Sequence, residues 1–222
     1  MKASERLRSE YGYLWEKLFQ HPFVLEMGQG SLPIEKFQFY VKQDYYFLIQ
    51  YSKVLAIAAA KAPNLDLMSV FSDLLTETIN TEMDLHRSFA QKFDISKDSL
   101  DNVEPAPITT AYTDYLLRVA YEGSLLDIIA TLLPCQWGYA ETGGYLKANG
   151  NLSSDNQYVP WIEMYTSKEF EVFVEQLKHN LDELVDGEGD STYSGIADHF
   201  LTSTRYEYWF WDMSYNLYTW PV

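Results

Sequence analysis

Apolar residues recur three and four positions apart along nearly the whole chain, and no stretch alternates in the manner of a half-buried strand. The pattern predicts an all-helical fold. A first helix is expected from about Ser4 to Phe19, with Leu7, Tyr11, Leu14 and Leu18 on its inner face. Pro22 suits the opening of a short helix ending near Gly28, and Pro33, whose missing N–H costs nothing at such a position, opens a long one. In that long helix Ile34, Phe37, Val41, Asp44, Leu48, Tyr51 and Leu55 step by three and four. Asp44 is the exception in the stripe, since an ionised carboxylate among apolar groups is costly unless a donor reaches it.

A third long helix carries Phe71, Leu75, Ile79, Glu82, His86, Phe89 and Phe93 on one face, which turns Glu82 and His86 inward. A fourth, from about Thr109, groups Tyr112, Leu116 and Val119. The fifth opens on Ser124 and Asp127, a capping-box pair, and its inner stripe is Ile128, Leu132, Cys135, Tyr139, Thr142 and Leu146. Cys135 and Tyr139 therefore share a face one turn apart. Pro134 cannot donate to the carbonyl of Ala130 and its ring crowds that turn, so a kink is expected beside the cysteine. A helix from Ser167 to about Leu184 turns Phe170, Val174, Leu177 and Leu181 inward. A last one, from about Ser191, carries Ile196, Phe200, Thr204, Glu207, Trp211 and Tyr215. The stretches between, such as "GQGSLP", "EPAPIT" and "KANGNLSSD", are short connections, so a single domain over residues 1–222 is expected.

Composition narrows the partners. Of the 222 residues, 47% are apolar, enough for one sizeable core, and 16% are aromatic, which suits either a pocket for a flat ligand or a plain aromatic interior. Lys and Arg total 16 against 32 Asp and Glu, a net charge of −16 that repels phosphate backbones and argues against nucleic acid as a partner. One cysteine excludes an intrachain disulfide and a four-cysteine zinc site. No apolar run reaches the roughly 18 residues of a membrane span, and the N-terminal stretch mixes charges with apolar residues. A soluble, cytoplasmic protein without membrane contact is expected.

Four helices thus bring inward-facing polar groups: Asp44, the pair Glu82 and His86, Cys135, and Glu207. If they converge, they make a site. Singly, a cysteine is also a small core residue, and a buried carboxylate also ends in a structural hydrogen bond or ion pair. Glu82 and His86 resemble a metal pair, but carboxylate-bridged di-iron bundles take Glu-x-x-His from two helices. Here the spacing is i, i+4 and occurs once, so a structural hydrogen bond is expected, with no metal and no cofactor. There is no G-x-S-x-G elbow and no phosphate-binding glycine loop.

The stretches "HPF" with "LPIEKFQFYVKQDYYFL", then "EMDLHRSFA", "LLPCQWGYAE" and "STRYEYWFWDMSY" follow one another at a familiar order and spacing. From about Trp15 to Tyr215 the chain resembles the TenA family, also called thiaminase II or aminopyrimidine aminohydrolase, in its cysteine-bearing branch. The resemblance implies a haem-oxygenase-like helical bundle without haem, assembled as a homotetramer. It implies hydrolysis between a pyrimidine-borne methylene and its leaving group, which yields 4-amino-5-hydroxymethyl-2-methylpyrimidine. That group is ammonia when the substrate is the aminomethyl pyrimidine and the thiazole when it is thiamin.

Carried over by motif, Cys135 is the nucleophile, Glu207 moves protons, and Asp44 binds the ring nitrogen and amino group. Tyr139 and Tyr165 line the ring, Phe210 forms an aromatic wall, and Tyr112 supports the thiol. Phe47 departs from the tyrosine often found three positions after the aspartate and lacks its hydroxyl. Two alternatives remain open at this point: a haem-oxygenase-like metal-dependent oxygenase using Glu82 and His86, and a non-catalytic, pyrimidine-binding regulatory protein.

Overall fold

The computed structural model describes residues 1–222, which form eleven α-helices, one π-helical turn and no strand. In chain order these are α1 (Ala3–Phe19), α2 (Pro22–Gln29), α3 (Ile34–Lys61), α4 (Leu65–Glu77), the π turn (Thr78–Glu82), α5 (Met83–Lys92), α6 (Lys97–Asp101), α7 (Pro107–Glu122), α8 (Leu125–Asn149), α9 (Val159–Tyr165), α10 (Lys168–Val185) and α11 (Asp190–Asn216). Their starts follow from local chemistry. Ser124 and Asp127 form the reciprocal box expected at the head of α8, with Ser124 N donating to Asp127 Oδ2 at 2.7 Å and Asp127 N to Ser124 Oγ at 3.3 Å. Ser167 Oγ accepts from Phe170 N at 3.2 Å to open α10. Gly30 closes α2 at φ 78°, a left-handed conformation that favours glycine.

The helices gather into two compact units, residues 1–32 with 129–215, and residues 33–128 with 216–222. In the first, α1 packs on α2 and α10, and α10 on α9. Trp15 stacks on Phe200 at 6.2 Å and meets Trp137 edge-on at 5.3 Å, while Phe23 stacks on Trp211 at 5.0 Å. Trp15 is buried where Leu14 was expected and Leu14 is only half-buried, because the large indole takes the space facing Phe200. The predicted stripe of α10, Phe170, Val174, Leu177 and Leu181, is buried throughout. In α8 every residue from 128 to 139 is buried, so this segment is enclosed on all sides rather than on one face. The helix runs through Pro134 without a break, and the carbonyl of Ala130 is left without its usual i+4 donor.

In the second unit α3 is the axis, with α4, α5 and α7 packed against it. Polar side chains of α3 clamp α7 at both ends. At its start, Gln43 Oε1 accepts from Ala106 N at 2.8 Å and from Thr109 Oγ1 at 2.7 Å, and Gln43 Nε2 donates to the carbonyl of Glu104 at 3.1 Å. At its end, Lys61 Nζ donates to the carbonyls of Tyr121 and Gly123 at 3.0 and 2.5 Å. Tyr112, in the middle of α7, is thus held at a fixed height along α3.

One expectation fails in this unit. Residues 71–93 do not share the predicted face, and a π turn joins α4 to α5, with Met83 N bonded to the carbonyl of Thr78. The inward positions are already Leu74 rather than Leu75 within α4, then Thr78, and Ile79 is 47% exposed. Beyond the turn the phase recovers, and Glu82, His86, Phe89 and Phe93 are buried as the spacing predicts.

Candidate functional site

In the second unit the candidate residues lie on one side of α3 and on its neighbours. Asp44 is 4% exposed, and its Oδ2 takes two hydrogen bonds. Tyr40, one turn earlier on α3, donates its hydroxyl at 3.1 Å, and His86 Nε2 from α5 lies at 2.6 Å. The other oxygen, Oδ1, takes no hydrogen bond from the protein. The second ring nitrogen of His86, Nδ1, lies 2.9 Å from the backbone carbonyl of Glu82. A carbonyl only accepts, so Nδ1 carries a hydrogen. Nε2 and Oδ2 then share the next proton, as imidazolium and carboxylate or as neutral imidazole and carboxylic acid. Burial works against the charged imidazole, but the hydrogen bond and negative charge of Asp44 outweigh it, and the His86 pKa is raised. The shift favours the charged imidazole beside the carboxylate.

Both ring nitrogens of His86 are engaged in hydrogen bonds, so the i, i+4 pair of Glu82 and His86 does not offer a metal two ligands. The structural hydrogen bond expected for His86 is present. No group of three or more His, Cys, Asp and Glu side chains is arranged to hold a metal ion. Next to Asp44 in the stripe, Phe47 packs against Tyr112 with ring centroids 5.1 Å apart and against Tyr51 at 6.0 Å.

Glu82, at the end of the π turn, is 5% exposed, and burial pushes its carboxyl up to about 7 against the opposing pull of His86, with Asp44 adding to the rise. The folded protein holds this proton where the unfolded chain releases it. Stability from the group is complete below about pH 4.5 and is lost as pH rises to about 7. The raised His86 contributes with the same sign. Urea unfolding across this window is expected to show wild type losing about 3 kcal/mol relative to Glu82→Gln as pH rises. A difference that does not change with pH would contradict the assignment.

In the first unit Cys135 is a buried thiol, 8% exposed, on α8. One turn along the same helix, Tyr139 is the centre of an aromatic cluster: Tyr165 meets it edge-on at 4.9 Å, Trp211 stacks on it at 5.2 Å, and Trp161 lies at 5.6 Å. Glu207, 3% exposed, sits on α11 one turn before Trp211 and three residues before the buried Phe210. The structure thus gathers Tyr139 and Tyr165 in this unit, and Asp44, Phe47 and Tyr112 around α3 in the other. A surface depression of about 610 Å³ at the α10–α11 turn, bordered by Lys2, Arg6, Asp182 and Glu188, includes none of the candidates.

Two residues and one pairing escaped sequence reasoning. Tyr40 and Trp161 were legible in principle, standing four positions before Asp44 and Tyr165 respectively. The pairing of His86 with Asp44 spans 42 positions, and helical phase alone carries no signal for it.

The sequence pattern of the TENA/THI-4/PQQC family matches residues 9–217. An aminopyrimidine aminohydrolase of Halalkalibacterium halodurans is 45% identical over 207 residues, 93% of this chain and 92% of that protein. A TenA homologue from P. horikoshii OT3 superposes with a TM-score of 0.89 at 31% identity, over 97% of this chain and 99% of that one. A Shewanella denitrificans domain with a heme oxygenase-like fold superposes with a TM-score of 0.78 at 15% identity, over 96% of this chain and 92% of that one, a likeness of fold alone.

Proposed function

Because this chain belongs to the TENA/THI-4/PQQC family, we propose that it is a hydrolase of thiamin salvage, releasing 4-amino-5-hydroxymethyl-2-methylpyrimidine from the aminomethyl pyrimidine, from thiamin, or from both. The observation that carries this reading is the thiol of Cys135 placed one turn from Tyr139, the ring at the centre of an aromatic cluster. Aromatic surfaces of this kind accept a flat heterocycle, and a cysteine sulfur is the strongest nucleophile among protein side chains at neutral pH.

In the proposed reaction the Cys135 thiolate adds to a ring carbon of the pyrimidine, and the electron pair released into the ring expels the leaving group from the exocyclic methylene. Water then adds to that methylene, the S–C bond breaks, and the thiolate is restored. Glu207 gives a proton to the departing amine and takes one from the attacking water, so it ends as it began. Asp44 reads the amino group, with Phe47 and Tyr112 beside it. Tyr139, Tyr165 and Phe210 line the ring. Phe47 supplies a flat face without a hydroxyl. A cytoplasmic homotetramer belongs to the same reading, and the exposed Leu65, Met68 and Ile79 suit subunit contacts.

The test compares both substrates with one preparation of the wild-type protein. Release of the hydroxymethyl pyrimidine is expected from the aminomethyl compound, from thiamin, or from both, with ammonia or the thiazole formed in equal amount. Binding of either compound without product would contradict catalysis and leave a regulatory protein.

A further inference from the structure

We propose that His86 is the positioning residue for Asp44: with Tyr40 it saturates one carboxylate oxygen and fixes the side chain so that the other reads the amino group of the pyrimidine. This rests on the function proposed above and specifies how one of its binding groups works. The argument is geometric. Oδ2 of Asp44 takes hydrogen bonds from Tyr40 at 3.1 Å and His86 at 2.6 Å, which leaves Oδ1 as the only oxygen open to a ligand. His86 is itself fixed, because its Nδ1–H is tied to the Glu82 carbonyl at 2.9 Å on the last residue of the π turn. The π turn thus has a use. It interrupts a helix whose unbroken phase would place these groups differently, and such interruptions recur at functional sites.

A carboxylate with two acceptor oxygens and free rotation can meet an amino group in several orientations. One anchored through Oδ2 has a single orientation, and its recognition of the ligand is through one oxygen.

The test uses His86→Leu, which removes the anchor, and His86→Gln, whose amide nitrogen reaches the place of Nε2. Each is compared with wild type for turnover of the aminomethyl pyrimidine and for calorimetric binding of the hydroxymethyl product. His86→Leu is expected to raise KM and the product's Kd by about 10- to 100-fold while kcat changes much less, and His86→Gln to recover most of the loss. A folded His86→Leu that binds within about twofold of wild type would overturn the role of His86 alone.

A wild-type protein that neither binds nor turns over an aminopyrimidine would overturn the function instead. Should His86→Leu not fold, nitrogen NMR of the wild type decides. Nδ1 of His86 is expected to carry a hydrogen, and the Nε2 signal to shift when the product binds. An Nε2 signal blind to the product would overturn the proposal.

Discussion

Cys135→Ser is expected to slow release of the hydroxymethyl pyrimidine by about 10³-fold or more, while the far-UV circular dichroism stays helical. Serine is close to cysteine in size, so the enclosed middle of α8 has little reason to rearrange. The chemistry is another matter. A thiol with an ordinary pKa of about 8.5 supplies some thiolate near neutral pH, whereas a serine hydroxyl supplies almost no alkoxide without a strong base beside it. Steady-state assays on both substrates check this, and a variant within tenfold of wild type would remove sulfur from the mechanism.

Glu207→Gln is expected to lower turnover of the aminomethyl pyrimidine by about 10²- to 10⁴-fold, the usual range for a lost acid–base group. Thiamin should suffer less in the departure step. Ammonia leaves only from a protonated nitrogen, whereas the thiazole leaves a cation as a neutral base and needs no proton. Both substrates still require a base to activate the incoming water, so the covalent species should accumulate most when thiamin is the substrate. Rapid-quench measurement of thiazole release against pyrimidine release separates the two steps. Equal losses in both, on both substrates, would mean that Glu207 shapes the site without moving protons.

Much of the helical architecture was legible because burial follows the 3.6-residue period wherever a helix has one wet face. α10 is the clearest case, with Phe170, Val174, Leu177 and Leu181 all inward. The capping pair at Ser124 and Asp127 was legible because it is local chemistry. What escaped was whatever broke the period or was too short to show it. The inward side of α4 runs through Leu74 and Thr78 rather than Leu75 and Ile79, the π turn follows it, and the seven-residue α9, with Trp161 and Tyr165 buried, was not anticipated as a helix.

The candidate residues divide in the same way. The position of Asp44 in an apolar stripe raised the question of its donor, and the answer, His86 with Tyr40, came only from the fold. Spacing had already turned both Asp44 and His86 inward. It could not say that they face each other, since a contact between distant helices depends on how they cross and not on either helix alone.

The central claim is that a covalent bond forms between Cys135 and the pyrimidine fragment. The direct measurement is the intact mass of Glu207→Gln after brief incubation with thiamin and quenching, followed by peptide mapping. A mass gain equal to the pyrimidinylmethyl fragment, with the thiazole lost and the label on the peptide that contains Cys135, is the predicted result. Release of the hydroxymethyl pyrimidine while the protein mass never changes would contradict it.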